Sequence, residues 1–152
     1  MSLYLASILS FFSVYKCYNT RENIKYGGNT MKFYICKHCG NVIHFMNESG
    51  VSVVCCGEKM EELIPGTTDA VVEKHVPAVT VDGNKIKVCV GSVLHPMTPE
   101  HYITWILIET NKGCHMAKLS PNDMPCAEFV LADGEEYIAA YEYCNLHGLW
   151  KA

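Results

Sequence analysis

The sequence has little positive charge and no long apolar run, and these two shortages argue against two classes of protein. Its 152 residues include 12 Lys and Arg against 16 Asp and Glu, for a net charge of −4. That balance leaves no broad basic surface for nucleic acid. The apolar run from Leu3 to Val14 is too short to cross a bilayer as a helix, and no positive segment precedes it as in a secretory signal. We therefore expect neither a nucleic-acid-binding protein nor a membrane protein.

The first thirty residues are unlike the rest of the chain. The stretch from Tyr26 to Thr30 contains Gly27-Gly28 just ahead of Met31, and codons for two glycines can spell a bacterial ribosome-binding sequence. We predict that Met31 is the true start and that residues 1–30 are a translated leader. The alternative is a membrane-associated or secreted N-terminus. Mass spectrometry of the N-terminus of the native protein distinguishes the two. A mature chain that begins near Met1 would contradict the prediction.

The sequence also lacks a convincing helical period, an internal repeat and any low-complexity segment. Instead, short β-rich runs alternate with turns, which is typical of an all-β fold. The predicted strands lie at 32–36, 41–46, 51–55, 79–90 (a hairpin), 102–110, 114–119, 127–132 and 135–144. Pro65-Gly66 marks a boundary, so we predict a small domain at 31–66 and a β-sandwich at 67–152.

Cysteine is plentiful, with nine in the chain. Nine is an odd number and fits a pure disulfide framework poorly, although disulfides and buried thiols remain alternatives. Cys36 and Cys39 form a CxxC pair, and Cys55 and Cys56 follow as an adjacent pair. Four thiolates can provide all the ligands of a tetrahedral Zn or Fe site. A unit as small as 31–66 buries too little core to be stable alone, so a bound metal would stabilise it. The adjacent second pair departs from an ordinary zinc ribbon.

A second group of metal-binding residue types lies in the predicted sandwich. Four histidines and one cysteine sit beside turns or strand ends: His75, His95, His101, Cys144 and His147. Five protein ligands exceed the usual zinc complement and leave one octahedral position vacant. A thiolate donor would push electron density onto the metal. The pattern therefore favours a redox iron with an open face, suited to a small oxygen species.

Several motifs, in order and at matching spacing, together resemble one family. They are CKHC (36–39), CC (55–56), EKHVP (73–77), HPMTPEHY (95–102) and EYCNLHG (142–148). Over residues 31–152 they resemble desulfoferrodoxin, the two-iron form of superoxide reductase. The resemblance implies a desulforedoxin-like domain followed by an immunoglobulin-like β-sandwich. It also implies a homodimer and a rubredoxin-like electron donor.

The resemblance assigns a role to each motif residue. Cys36, Cys39, Cys55 and Cys56 would hold a tetrathiolate electron-transfer iron. His75, His95, His101 and His147 would be equatorial ligands of a catalytic iron, with Cys144 axial. Lys74 would attract superoxide and orient a proton-delivering water, and Glu73 would ligate the ferric iron after turnover. The implied reaction converts superoxide, one electron and two protons to hydrogen peroxide.

Two other functions stay open: an electron-transfer iron protein with an inert sandwich site, and a zinc-bound module without redox chemistry. A visible spectrum separates them, because ferric thiolate centres are coloured and zinc is not. Cys17, Cys89, Cys114 and Cys126 match no ligand of the family. We predict that the chain is reduced and cytoplasmic, and that Cys89 is a partly exposed free thiol on the face of Lys85 and Lys87.

Overall fold

The computed structural model describes residues 31–68, 70 and 72–152. The predicted leader, residues 1–30, lies outside the described residues. Residues Met31–Ala152 form one compact unit. Its described residues contain twelve short strands and one helical turn, which confirms the all-β prediction. Within them, no helix is long and apolar enough to span a membrane.

The N-terminal part is a small sheet with a hairpin beside it. Strands β1 (Phe33–Ile35), β2 (Val42–His44) and β5 (Glu61–Leu63) form an antiparallel sheet in the order β2-β1-β5. Strands β3 (Val54–Cys55) and β4 (Glu58–Lys59) pair as a two-residue hairpin. Each of the first three predicted runs therefore contains a strand, although the observed strands are shorter.

The rest of the chain is a β-sandwich that follows a helical turn, α1 (Val72–His75). One sheet has the order β10-β7-β6 and the other the order β12-β11-β8-β9. The bounds are β6 Pro77–Asp82, β7 Lys85–Val90, β8 Ile103–Thr110, β9 Gly113–Lys118, β10 Cys126–Val130, β11 Tyr137–Cys144 and β12 Gly148–Lys151. The sequence prediction contained neither α1 nor β12.

The sandwich core follows from the two-residue period of its strands. Ile86, Val88 and Val90 alternate with more exposed residues along β7 and are fully buried. Ile106 and Ile108 of β8 join the same cluster. Strand β8 is apolar on its other face as well, because that face packs on a second cluster.

This second cluster joins the N-terminal sheet to the sandwich. It contains Phe33, Leu107, Ala139, Tyr141 and Leu149. The Phe33 ring lies 5.2 Å from the Tyr141 ring and 5.4 Å from the Trp105 ring, measured between centroids. The division at residues 66 and 67 stays a prediction, since apolar packing crosses it.

The prediction of a free Cys89 in a fully reduced chain is wrong in this structure. Cys89 of β7 forms a disulfide with Cys126 of β10, and the two residues stand opposite each other in the strand register. They are 37 residues apart in sequence. Alternation along β7 indicated the face of Cys89 but could not indicate which strand would lie beside it.

Candidate metal centres

Four thiols converge in the N-terminal part. Cys36 follows β1, Cys39 lies in the next turn, and Cys55 and Cys56 span the end of β3 and its turn. Cys56 has a φ of 52°, in the left-handed region that non-glycine residues rarely adopt. The Sγ atoms of Cys55 and Cys56 are 3.9 Å apart, and those of Cys39 and Cys55 are 3.6 Å apart.

The acidity of these thiols differs sharply within the cluster. Hydrogen bonding from the Cys39 backbone lowers the pKa of Cys36 to about 7. Side-chain hydrogen bonds with Cys39 and Cys55 raise the pKa of Cys56 to about 12. Four adjacent thiols cannot all ionise unless a cation balances their charge. The cluster therefore fits a metal ion that replaces the protons.

A second cluster gathers four imidazoles at one end of the sandwich. Adjacent ring centroids are 4.8 Å apart for His75 and His95, 4.4 Å for His95 and His101, 4.8 Å for His101 and His147, and 4.7 Å for His147 and His75. The diagonal from His75 to His101 is 6.4 Å. The four rings thus occupy the corners of a near-square.

Cys144 completes this set. Its Sγ lies 3.5 Å from Nδ1 of His147. One donor atom from each of the five residues lies within 4.8 Å of the others. Both predicted ligand sets are therefore brought together in the fold, each without a missing member.

Strand ends and loops place the five donors. His75 closes α1, and His95 and His101 lie on the connection from β7 to β8. Cys144 ends β11, and His147 lies in the turn to β12. Gly91 lets β7 end against α1: a Cβ there would lie 2.9 Å from the Glu73 carbonyl and 2.8 Å from that of Lys74. Its φ of 80° also favours glycine.

The electrostatics favour neutral imidazoles that can ligate. Burial, followed by the neighbouring imidazoles, lowers the pKa of His95 to about 4. The pKa of His101 is lowered by burial first, then by His147, His75 and Lys74. Nε2 of His101 is buried without a hydrogen-bond partner. A buried nitrogen without a hydrogen-bond partner, in a cluster of four imidazoles, is the arrangement expected where a metal ion binds.

Cys144 is fully buried, and that burial raises the pKa of its thiol. A metal ion would offset this effect, because a coordinated thiol is deprotonated. Glu142, two residues earlier on β11, is also fully buried, and neither carboxylate oxygen has a hydrogen-bond partner. Burial raises the pKa of Glu142 to about 9, so the group is neutral at pH 7.

Three supporting residues went unnoticed in the sequence. Trp150 of β12 stacks on His75, with ring centroids 5.0 Å apart, and its Nε1 donates to the His147 carbonyl at 3.2 Å. Asn145 joins the two ligand loops by hydrogen bonds to Glu100 and Tyr102, and Glu142 precedes Cys144 by two residues on β11. Of the three, only Glu142 could have been noticed in the sequence, as a lone carboxylate within the nearly continuous apolar and aromatic run of β11.

Glu73 and Lys74 lie outside the donor cluster. Both side chains are exposed. The Glu73 carbonyl accepts hydrogen bonds from the Ser92 backbone at 2.9 Å and from its hydroxyl at 3.3 Å. These bonds anchor the segment that carries the two charges directly before His75.

Fold and sites together define a two-centre metalloprotein: a β-sandwich with a four-imidazole, one-thiol site, joined to a four-thiol unit. The Desulfoferrodoxin family model matches residues 67–152, and that of the Desulfoferrodoxin N-terminal domain matches residues 28–63. The chain belongs to the desulfoferrodoxin family.

Individual relatives agree with this assignment. The chain is 44% identical over 124 residues to desulfoferrodoxins from Clostridium acetobutylicum and from Nitratidesulfovibrio vulgaris, covering 82% of this chain and 97% of each relative. The crystal structure of the superoxide reductase from Treponema pallidum is similar, with a TM-score of 0.69 and 40% identity. That match covers 82% of this chain and 99% of the other.

The cofactors of the family are two iron centres, and the donor chemistry here fits both. A tetrathiolate set suits iron, and a mixed imidazole and thiolate set suits a redox-active iron. The described residues supply both sets.

Proposed function

We propose that this chain is a superoxide reductase in which His75, His95, His101, His147 and Cys144 bind the catalytic iron. Cys36, Cys39, Cys55 and Cys56 would bind the electron-transfer iron. The observation that carries the proposal is the near-square of imidazoles with a thiol beside it. This donor set, unlike a closed four-ligand zinc site, would allow a bound iron one further position for substrate.

The reaction balances as superoxide plus one electron and two protons giving hydrogen peroxide. A bound iron would supply the one-electron chemistry, and an external donor would supply the electron. The protein holds the four imidazoles close together, and burial keeps the pKa of His95 and of His101 below the ordinary value. Cys144, as a thiolate, adds electron density from a buried position, where water competes least for its charge.

Lys74 supplies positive charge near the substrate position. Its charge is the smallest of the contributions that lower the pKa of His101, and this supports a role for Lys74 at the imidazole cluster. Local potential of this kind raises the encounter rate of a small anion even on a protein of net charge −4. A water held by Lys74 is our candidate proton source. The neighbouring carboxylate of Glu73 is our candidate for a group that would bind the iron between turnovers.

The remaining partners are part of the same proposal. Superoxide is the substrate. Cys39 and Cys56 are exposed, so electrons can enter the tetrathiolate centre from a small docked protein, for which a rubredoxin-like donor is proposed. We also propose a homodimer, a cytoplasmic location and separate domains at 31–66 and 67–152.

The product ratio tests the proposal. With excess reductant, a reductase forms one hydrogen peroxide per superoxide and releases no oxygen. Disproportionation forms one peroxide per two superoxide and releases oxygen, so that outcome would contradict the proposal. Iron-loaded protein that shows thiolate colour but no superoxide reactivity would favour the electron-transfer alternative. Zinc and no colour would favour the structural module.

A further inference from the structure

The cysteine pair that joins β7 to β10 belongs to neither metal cluster. We propose that Cys89 and Cys126 form a dithiol site that hydrogen peroxide oxidises to the disulfide. The inference rests on the proposed function only for the source of peroxide. The thiol chemistry itself depends on the geometry of the two strands.

Strand register places the two sulfurs within reach of each other. Cys89 and Cys126 are cross-strand partners with Cα atoms 4.0 Å apart. The next pair along the ladder is hydrogen-bonded, since the Val90 amide donates to the Pro125 carbonyl at 2.8 Å. Cys89 and Cys126 therefore occupy a non-hydrogen-bonded position, where facing side chains are closest. The reduced thiols would face each other without any change of strand pairing.

The other cysteines of the sandwich lack this arrangement. Cys144 is buried within the imidazole cluster. Cys114 of β9 is exposed and has no cysteine partner among the residues that the structure describes. Cys89 and Cys126 are half-buried, so a molecule as small as peroxide can reach them. The chain thus contains a paired site and an unpaired exposed thiol for comparison.

The chemistry balances with peroxide as the oxidant. One thiol ionises, its thiolate attacks a peroxide oxygen, and the O–O bond breaks to give a sulfenic acid and hydroxide, which takes up the released proton to form one water. The second thiol attacks the oxidised sulfur and releases a second water as the S–S bond forms. Two thiols lose two electrons and two protons in total, and one hydrogen peroxide becomes two waters.

Cys89 lies near the end of β7 and Cys126 at the start of β10. The residues that follow β7 bind the segment that precedes His75. One residue beyond Val90, the Gly91 amide donates to the Val76 carbonyl at 3.2 Å, and the Ser92 amide donates to Glu73 at 2.9 Å. The disulfide closes a sequence separation of 37 residues. Oxidation should therefore stabilise the segment beside Glu73 and Lys74, and we expect it to raise Tm by about 5–10 °C.

The test uses the full-length, iron-loaded protein. The pair is first reduced with a phosphine, and completeness is checked by alkylation. One portion then receives one equivalent of hydrogen peroxide. A second portion turns over superoxide with excess reduced donor, with and without catalase. After quenching by alkylation, cleavage after Lys118 and after Glu128 puts Cys114, Cys126 and Cys144 on different peptides, so mass spectrometry identifies each linked peptide.

We expect a link between Cys89 and Cys126 in both portions, with catalase suppressing it in the second. The variants Cys89→Ser and Cys126→Ser should each abolish the link and the rise in Tm. Cys114→Ser should retain both.

The two proposals fail in different ways. If added peroxide leaves Cys89 and Cys126 alkylatable, or if the folded protein resists reduction of the bond, the dithiol site is refuted. If added peroxide forms the link but turnover does not, the dithiol site stands and the proposed reaction fails.

Discussion

The side-chain amide of Asn145 binds the backbone on both sides of His101. Its Nδ2 donates to the Glu100 carbonyl at 2.8 Å, and its Oδ1 accepts from the Tyr102 amide at 2.9 Å. The backbone amide of Asn145 also donates to the Tyr102 carbonyl at 3.2 Å. One residue thus ties the loop that carries His101 to the turn that carries Cys144 and His147.

Replacing Asn145 by alanine should loosen this tie. Two side-chain hydrogen bonds are lost, at about 1 kcal/mol each, so the free energy of unfolding should fall by about 2 kcal/mol. Because His101 loses its fixed position, the long-wavelength band of the ferric thiolate–imidazole site should weaken or shift. Visible spectroscopy and iron analysis measure both effects.

Asn111 provides a matched control. Its Oδ1 accepts from the Glu136 amide at 3.0 Å and its Nδ2 donates to the Gly134 carbonyl at 3.4 Å, at turns that carry no metal donors. Asn111→Ala should lower Tm to a similar extent without altering the band. Equal spectral changes in the two variants would mean that Asn145 acts only through general stability.

Removing the charge of Lys74 should slow the encounter with superoxide. We expect Lys74→Ala to lower the second-order rate constant by about threefold to tenfold and to flatten its dependence on ionic strength. Pulse radiolysis across a salt series measures both. Lys85, at the far end of β7, is the control, and Lys85→Ala should leave rate and salt slope unchanged. A Lys74 variant with the wild-type salt slope would refute the steering role.

Phe33 tests how the N-terminal unit depends on the sandwich. Its side chain is only 3% exposed and packs on Tyr141 and Trp105. Phe33→Ala should cost about 3–4 kcal/mol, and the tetrathiolate colour should disappear at lower denaturant concentration. Tyr34→Ala, from the opposite face of β1, should cost less. Equal losses would show that the shared apolar cluster does not stabilise the N-terminal unit.

The carboxylate of Glu135 makes the stability of the fold depend on pH. Thr110, the Ala132 amide and His115 donate hydrogen bonds to its carboxylate and lower its pKa from 4.5 to about 2. A lowered carboxyl pKa stabilises the folded state above pH 4.5, and that contribution is lost as pH falls toward 2. Glu135→Gln should therefore lower Tm at pH 6, and the difference from wild type should shrink in acid. A constant difference would contradict this account.

The sequence predicts most of the strands because the pattern of apolar residues within each strand is enough to identify it. The apolar run of β8 and the alternation of β7 are examples. It also predicts both donor sets, because cysteine and histidine cluster beside turns. What it missed depends on contacts between distant segments. The partner of Cys89 is set by the register of β7 on β10, and the hydrogen bonds of Asn145 reach a loop more than forty residues away. Strand β12, with only four residues, is too short to show a period.

Iron content and the visible spectrum of anaerobically purified protein, wild type against Cys144→Ala, test the central claim most directly. We predict two irons per chain in the wild type. In Cys144→Ala, the long-wavelength band and superoxide reduction should both be lost, while the tetrathiolate colour persists. A Cys144→Ala protein that keeps the band and reduces superoxide at the wild-type rate would contradict the assignment of the catalytic site.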